Sequence, residues 1–280
     1  MNILKLEIRY FCNIMEALTM TENILENGKQ FFEDYTQKIL KKNDLHLTDS
    51  LHLKKEHSLR VAKLSAYIAG ELGLDKANCQ MAEFIGLLHD LGRFAQFEKY
   101  HSFDDQKTED HAVLSLATFK DEAFFKELSE EGQQLVISVV EQHNKVAVIS
   151  KDKNILLFSQ ILRDADKLDI WEVCVSYLKR DGSFSLPSIS LDLPNTPGVS
   201  DVVIKTLMQG KPVQRKDLQT VNDFKLFIMA MVFDLNYKVS FHLLNQKQLI
   251  KKIYDTLPKR DDVINIYRQI RLLVENKFVE

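Results

Sequence analysis

The sequence Leu87-Leu88-His89-Asp90-Leu91-Gly92-Arg93 closes an apolar run with a His-Asp pair and continues with glycine and arginine. Phe84 and Ile85 lengthen that run, so the pattern predicts a buried helix that ends at the pair. Buried polar groups need partners that offset their lost hydration, and a neighbouring imidazole and carboxylate can bind one metal ion together. A solvated helix end or a core histidine would look the same in isolation, so other residues must supply the partners.

Two helices are predicted before this stretch. Apolar residues recur at helical spacing over residues 21–43, where Thr21 is a suitable N-cap and the helix would cover the core. A second amphipathic helix is predicted over residues 52–72, with His57 on its apolar face. His57 is therefore either a core histidine or part of a site.

A short turn is predicted between the second helix and the helix of the His-Asp pair. Gly73 ends the first of these helices, and Asp75 can cap the next one from Lys76 onward. Because two helices joined by a short turn run antiparallel, we expect His57 to come within reach of the His-Asp pair.

The segment after the pair, residues 93–105, mixes aromatic and polar side chains without helical spacing. We expect it to form a loop over the site, and a plain surface loop is an equally good interpretation. Two more histidines follow at predicted helix ends: His111 opens a helix after Glu109 and Asp110, and His143 lies near the end of a helix over residues 133–144. Each of them alone would be structural or solvent-facing.

An acidic interruption marks the next predicted helix, which begins near Asn154. Asp166 lies four residues after Leu162 and continues an apolar stripe, whereas Asp164 and Asp169 are expected to point elsewhere. A carboxylate on an inward stripe requires a cation. Asp166 is therefore a candidate metal ligand.

The rest of the chain is also predicted to be helical, with helices over residues 202–208, 224–239 and 263–278. No stretch sustains the period-two alternation of a strand, so the predicted fold class is all-α. The predicted division is an N-terminal helical segment (1–45), a metal-binding domain (46–180), a proline-rich loop (181–200) and a C-terminal helical extension (201–280). Met20 is an equally good start codon, and with that start residues 1–19 would be an artefact of start-codon choice.

Composition restricts the function classes. The chain has 280 residues with 45% hydrophobic content, which is enough for a large core, and the net charge of −3 does not favour bulk binding to nucleic acid or to an anionic membrane. No run reaches the roughly 18 apolar residues of a membrane span. Three widely spaced cysteines, Cys12, Cys79 and Cys174, are expected to be free thiols, and no signal peptide is evident. We expect a cytoplasmic protein.

The order His, His-Asp, His, His, Asp resembles that of the HD-domain superfamily of metal-dependent phosphohydrolases. The resemblance extends from about residue 50 to residue 175 and implies an all-α HD-domain helical bundle. It also implies that His57, His89, Asp90 and Asp166 bind a first metal ion. The resemblance further implies that His111 and His143 bind a second ion in dinuclear members, with Asp90 bridging. One or two divalent ions of Mn, Fe, Co, Ni or Zn suit these ligands, and the spacing does not choose among them.

The expected reaction is hydrolysis of a phosphate ester by a metal-activated hydroxide. Asp90 and Lys167 are the expected catalytic residues, and Arg60, Arg93 and Lys167 are candidates to bind the substrate phosphate. A surface or helix-end charge is an equally good interpretation for Arg60 and Lys167 and a slightly better one for Arg93. The expected partner is a small phosphorylated substrate, either a nucleotide or another metabolite, and a homodimer stays open.

Other functions stay open as well. The six-ligand order also resembles mixed-valent di-iron oxygenases of the same fold, and the scaffold can serve as a non-catalytic nucleotide-binding regulatory module. A cyclic-di-GMP phosphodiesterase is not supported, because the Gly-Tyr-Pro signature is missing after His111. A bifunctional alarmone enzyme is not expected either, because this sequence shows no adjoining synthetase domain.

Overall fold

The computed structural model describes residues 20–42, 45–105 and 107–279. Within these ranges the chain forms thirteen α-helices and three short 3-10 helices, so the predicted all-α fold is confirmed. The α-helices are α1 (Glu22–Leu40), α2 (Leu45–Glu71), α3 (Lys76–Leu88), α4 (Gly92–Tyr100), α5 (His111–Phe119), α6 (Ala123–Lys126), α7 (Glu130–Gln142), α8 (Lys153–Tyr177), α9 (Asp201–Met208), α10 (Val221–Ala230), α11 (Lys238–Gln246), α12 (Leu249–Tyr254) and α13 (Asp261–Val279). The 3-10 helices are Pro187–Ser190, Arg215–Asp217 and Met231–Asp234. One isolated bridge joins Leu178 and Phe184.

These helices group into two compact units, one ending at Asp166 and the other beginning at Lys167. The predicted four-part division of the chain stays a prediction. Among the described residues, no helix combines the length and the apolar character that crossing a bilayer requires. Residues 1–19, to which the start-codon prediction and Cys12 belong, lie outside the described residues.

In the first unit, the predicted N-caps Thr21 and Asp75 and the turn at Gly73 are confirmed, whereas α2 begins at Leu45 rather than at residue 52. Thr21 accepts a hydrogen bond from the backbone N–H of Ile24 and so caps α1. Gly73 has a φ of +79°, in the left-handed region that favours glycine, and the Asp75 side chain caps α3. Asp75 thereby satisfies an N–H group that the first turn of α3 would otherwise leave unbonded.

Helices α2 and α3 approach closely at Gly86. A Cβ added there would lie 2.9 Å from the Cα of Ala62 and 2.8 Å from the hydroxyl of Ser65, so only glycine fits between the two helices. This contact lies about one turn before the His-Asp pair, and it brings the middle of α2 against that pair. The packing therefore places His57 beside His89, with ring centroids 5.6 Å apart.

The prediction of a loop over residues 93–105 is wrong for its first part, because Gly92–Tyr100 is helix α4. Phe94 and Phe97, three residues apart on this helix, join a buried cluster with Ile39, Leu40 and Leu51. Tertiary packing of these two rings stabilises a short helix whose local sequence has no clear helical periodicity.

The burial of the acidic residues in helix α8 differs from the sequence prediction. Asp164 and Asp169 are fully buried, although they were expected to lie away from the inward stripe. The side chain of Asp166 keeps 24% of its surface exposed. The expectation was wrong because the buried face of α8 is wider than the single stripe of an amphipathic surface helix.

The second unit contains helices that the sequence did not indicate. The predicted helix over residues 224–239 is instead α10, a 3-10 turn and the start of α11, and neither α11 nor α12 was predicted as a separate helix. Thr220 and Asp223 form a reciprocal capping box at the start of α10. Buried Trp171 donates its indole N–H to the carbonyl of Ile228, 2.8 Å away, and ties α8 to α10 within this unit.

The two cysteines in the described part of the chain, Cys79 and Cys174, are free thiols, as predicted. Burial raises the pKa of the Cys174 thiol to about 12. This thiol is therefore protonated at neutral pH, and we expect it to be a core residue rather than a nucleophile.

Lys225 in α10 is a buried cation, and it gives a prediction about pH. Its side chain is 1% exposed, its ammonium has long hydrogen bonds to Asn222 and to the carbonyl of Thr256 (3.3 and 3.4 Å), and burial lowers its pKa from 10.5 to about 8. Because the folded state loses this proton before the unfolded state does, Lys225 makes the free energy of unfolding rise between about pH 8 and pH 10.5.

Replacing Lys225 with methionine should remove this pH dependence and stabilise the protein at pH 7 by about 1–3 kcal/mol, since a buried charge is replaced by an apolar chain of similar length. Urea unfolding of both proteins from pH 7 to pH 10 measures the difference. Parallel curves for the two proteins would show that Lys225 is not responsible.

Candidate metal centre

Side chains from five separate parts of the first unit converge on one point. Helix α2 carries His57, the end of α3 carries His89 and Asp90, and α5 begins at His111. His143 follows the last residue of α7, and Asp166 lies in α8. His57, His89, Asp90, His111 and His143 are all buried. The structure therefore brings together all of the side chains that the sequence singled out as metal ligands.

Asp90 lies at the middle of this set. Its Oδ2 is 3.8 Å from Nε2 of His57, and its Oδ1 is 3.2 Å from Nε2 of His111 and 3.7 Å from Nε2 of His143. Two groups of possible ligands result, His57-His89-Asp90 and Asp90-His111-His143, with the ligand atoms of each group within 4.8 Å of one another. Each carboxylate oxygen of Asp90 faces a different group.

Asp166 closes the first group from the side of α8. Its Oδ1 lies 3.1 Å from Nε2 of His57 and 4.0 Å from Nε2 of His89. Two imidazoles and two carboxylates thus face one another at the first position, which is a mixed nitrogen and oxygen donor set typical of divalent transition metals.

The protonation of the rings follows from the hydrogen bonds of their outer nitrogens. Nδ1 of His89 is 2.8 Å from the carbonyl of Gly86, and Nδ1 of His143 is 2.6 Å from the carbonyl of Val140. Because a carbonyl can only accept a hydrogen bond, each Nδ1 must carry the proton. Each Nε2 then directs a lone pair toward the centre, as a metal ligand must.

His111 and His143 provide the strongest test of whether a cation fits. Their Nε2 atoms are only 2.9 Å apart, and the Nδ1 of His111 donates to the carboxylate of Asp105. Both inner nitrogens therefore carry lone pairs that face each other and Oδ1 of Asp90. Three acceptors that converge in a buried position repel one another unless a cation lies among them, so these residues fit a metal ion.

The charges of the site suit metal binding at neutral pH. Burial lowers the pKa of His89 to about 4, and burial also lowers the pKa of His111. Burial by itself would raise the pKa of Asp90, but Lys54 and the other neighbouring cationic groups outweigh it and hold that pKa well below its usual range. A hydrogen bond from a neighbouring imidazole likewise outweighs burial and lowers the pKa of Asp166. Neutral imidazoles and ionised carboxylates are the forms that bind metals.

Lys54 is a residue of the site that the sequence prediction missed. Its ammonium donates a hydrogen bond to Oδ2 of Asp90 at 3.1 Å, and its side chain is partly exposed. Lys54 lies three residues before His57 on α2, and residues at this spacing share one face of a helix. That spacing is the signal from which Lys54 could have been found.

The cations that were predicted to bind phosphate occupy different positions. Arg93 is the second residue of α4, and its Nε lies 3.6 Å from Oδ1 of Asp90. Arg60 lies one turn after His57 on α2 and is half-buried. Lys167 forms an ion pair with Asp234 at 2.7 Å inside the second unit. Their roles toward substrate stay predictions.

Asp105 is the second residue that the sequence prediction did not assign to the site. It lies between α4 and α5, where its carboxylate contacts both Arg93 and His111. The sequence placed it in a segment over the site, but nothing in the spacing showed which of the neighbouring polar residues would turn inward.

This all-helical scaffold carries two adjoining groups of buried histidine and aspartate side chains that could hold metal ions. The model of the HD domain family matches residues 55–171, and this part of the chain is an HD domain. That family is one of metal-dependent phosphohydrolases, as the resemblance in the sequence implied. The match over residues 55–171 indicates the metal-dependent hydrolase type of domain, and the substrate is a separate question.

A curated relative, ribonuclease Y of Mycoplasma capricolum subsp. capricolum, is 38% identical to this chain over 89 residues. The matched segment is 32% of this chain but only 14% of that protein. No solved structure matches the chain.

Proposed function

We propose that this protein is a metal-dependent phosphohydrolase that cleaves a phosphate ester of a nucleotide or of another small phosphorylated metabolite. The observation that carries the proposal is the position of Asp90, whose two oxygens face two separate groups of buried imidazoles. A carboxylate shared in this way is suited to a two-ion centre, in which both ions act on one phosphoryl group.

In this proposal, His57, His89, Asp90 and Asp166 hold one divalent ion, and Asp90, His111 and His143 hold a second. Bound ions at these positions would supply an activated water for attack on phosphorus and would neutralise charge on the phosphoryl oxygens. Mixed imidazole and carboxylate ligands suit Mn²⁺, Fe²⁺, Co²⁺, Ni²⁺ or Zn²⁺.

The protein's own groups would bind and orient the ester. The Lys54 ammonium lies beside Asp90 and is partly exposed, so it can contact a phosphate oxygen while its stem stays packed on α2. Arg60 and Lys167 are proposed as further phosphate-binding cations, with Lys167 also in a catalytic role. His89 and His143 keep their Nδ1 protons on backbone carbonyls, so their orientation does not change as charge develops.

The relative's name adds one substrate class to be tested. Ribonuclease Y is named for action on RNA, whose phosphodiester links are themselves phosphate esters. The matched segment is a small share of that protein. A short oligonucleotide therefore belongs in the substrate panel beside mononucleotides, although the balanced charge of this chain favours small substrates.

The test is hydrolysis of a panel of nucleotides, generic phosphate esters and a short RNA, with Mn²⁺, Fe²⁺, Co²⁺, Ni²⁺, Zn²⁺ and Mg²⁺ supplied in turn. Chromatography of the products detects both free phosphate and cleaved diesters. Metal-dependent cleavage supports the proposal. Absence of cleavage by a protein that holds two irons and consumes dioxygen would replace it with an oxygenase, and absence of both cleavage and metal binding would replace it with a binding module.

Lys54 gives a prediction about substrate affinity. Replacing Lys54 with alanine should raise the KM for the best substrate about tenfold, since one charge-assisted hydrogen bond to phosphate is lost. Steady-state kinetics and Mn²⁺ titration measure the effect, and metal affinity should not fall.

Lys55→Ala is the matched control, because Lys55 is the next residue on α2 and pairs instead with Glu33 at 2.7 Å. We expect this control to keep the wild-type KM. Equal KM values in the two variants would mean that Lys54 does not bind the phosphate.

A further inference from the structure

The segment between α4 and α5 places a carboxylate directly behind His111. Oδ2 of Asp105 lies 2.7 Å from Nδ1 of His111, on the side of the ring away from Asp90. A carboxylate can only accept a hydrogen bond, so this contact places the ring proton on Nδ1 and the lone pair on Nε2. Asp105 therefore sets the tautomer in which His111 can act as a ligand.

His111 differs in this respect from His89 and His143. His89 and His143 rest on the backbone carbonyls of their own helices, which are part of the fold. His111 instead depends on a side chain from a neighbouring segment. Among these three rings in the described chain, only His111 has an orientation that a single side-chain substitution can release.

Asp105 is itself held from two sides. Its Oδ1 accepts hydrogen bonds from Nη1 of Arg93 and from Nε2 of Gln96, each at 2.8 Å. Gln96 is fully buried, and its amide also donates to the carbonyl of Glu109. The carboxylate therefore has a fixed direction before any ligand binds to the centre.

The contacts of Arg93 give it a different role from the one that the sequence predicted. Its Nη1 donates to Gln96, to the carbonyl of Phe103 and to Asp105, at 3.0, 2.8 and 2.8 Å, and its side chain is 13% exposed. A guanidinium fixed by three protein acceptors on one nitrogen is oriented toward the segment between α4 and α5. Binding substrate through that nitrogen would break these bonds.

We propose that Arg93 and Asp105 form a positioning pair that fixes His111 and thereby sets the affinity of the second metal position. The proposal rests on the proposed two-ion function and deepens it, because it assigns the second position a control that the first position lacks. Asp105 forms its hydrogen bonds with Arg93, Gln96 and His111, and Arg93 lies near Oδ1 of Asp90, the oxygen that faces the second position. The affinity of the His57-His89-Asp90 group is therefore expected to be independent of the pair.

The test uses full-length protein and Mn²⁺ as the probe. Calorimetric titration should show two binding steps in the wild type, and Asp105→Ala should weaken the second step by about 10–100-fold while the first stays within about twofold. Asp105→Asn should give a smaller loss, because an amide oxygen can still accept from Nδ1. Unchanged binding in Asp105→Ala would overturn the proposal.

A second measurement excludes a purely structural effect. Nitrogen-15 NMR of the imidazole rings in metal-free protein should show His111 protonated on Nδ1 in the wild type and shifted toward the Nε2-protonated form in Asp105→Ala, with His89 and His143 unchanged. The same tautomer in both proteins would overturn the proposal, even if the variant were less stable.

Glu109→Gln is the matched control in both measurements, because Glu109 lies in the same segment and pairs with exposed Lys99. It should behave as the wild type. If the wild type binds two Mn²⁺ ions and the Asp105 variant loses the second, but neither hydrolyses any ester, then the proposed function fails while the positioning role stands.

Discussion

Asp90→Ala is expected to lower the rate of metal-dependent hydrolysis by at least about a thousandfold, or ~4 kcal/mol of transition-state stabilisation. The effect should be large because the two oxygens of Asp90 face both groups of imidazoles, so one substitution removes a ligand from each. Mn²⁺ titration of the variant should show that both binding steps have weakened. Steady-state kinetics on the best substrate of the panel gives the rate.

Asp75→Ala is the control for Asp90→Ala, since Asp75 caps the opposite end of the same helix. Loss of this cap should cost about 1 kcal/mol of stability and leave both metal steps and the rate per folded molecule unchanged. The comparison separates damage to α3 from loss of the shared ligand. Wild-type turnover by Asp90→Ala would contradict the proposed centre.

Gly92→Ala is expected to be the most damaging single-methyl change in the first unit. A Cβ at this position would lie 2.1 Å from the carbonyl oxygen of His111 and 2.4 Å from the backbone nitrogen of Ser115. Because both obstacles are backbone atoms, α4 and α5 must move apart. We expect a loss of about 3 kcal/mol in the free energy of unfolding, seen as a fall of roughly 5–10 °C in Tm, and weaker Mn²⁺ binding at the second position.

Gly70→Ala is the matched control for the methyl group. A Cβ there would meet only the Sγ of Cys79, at an ordinary contact distance of 3.9 Å, and alanine is the better residue inside α2. This variant should be as stable as the wild type or about 0.5–1 kcal/mol more stable. Equal melting temperatures for the two glycine variants would show that the α4–α5 contact tolerates a side chain.

The ligands of the candidate centre were predictable because each carries a local signal. His89 and Asp90 follow an apolar run, His57 lies on an apolar helix face, and His111 and His143 lie at helix ends. The order of these residues along the chain added what no single position could give. Which atoms meet was not predictable, because their distances depend on how the helices pack.

The residues that the sequence missed are those whose role arises only in three dimensions. Lys54 shares a helix face with His57, a spacing that could have indicated it, but its hydrogen bond to Asp90 depends on how α2 and α3 pack. Asp105 belongs to a segment without periodicity, and the direction of its carboxylate is set by Arg93 and Gln96 of α4. Helix α4 was missed for a related reason, since Phe94 and Phe97 stabilise it by contacts with α1 and α2 rather than by local pattern.

The distance along the chain between the members of the centre has a consequence for synthesis. His57, His89 and Asp90 are made well before Asp166, which lies on α8. At ribosomal rates of about 5–20 residues per second, the interval between Asp90 and Asp166 lasts roughly 4–15 seconds. During this time the nascent chain presents imidazoles and a carboxylate without their last partner. Translation of α8 is thus the step that completes the set of possible ligands. A nascent chain that stalls before α8 has buried histidines and Asp90 without the carboxylate of Asp166.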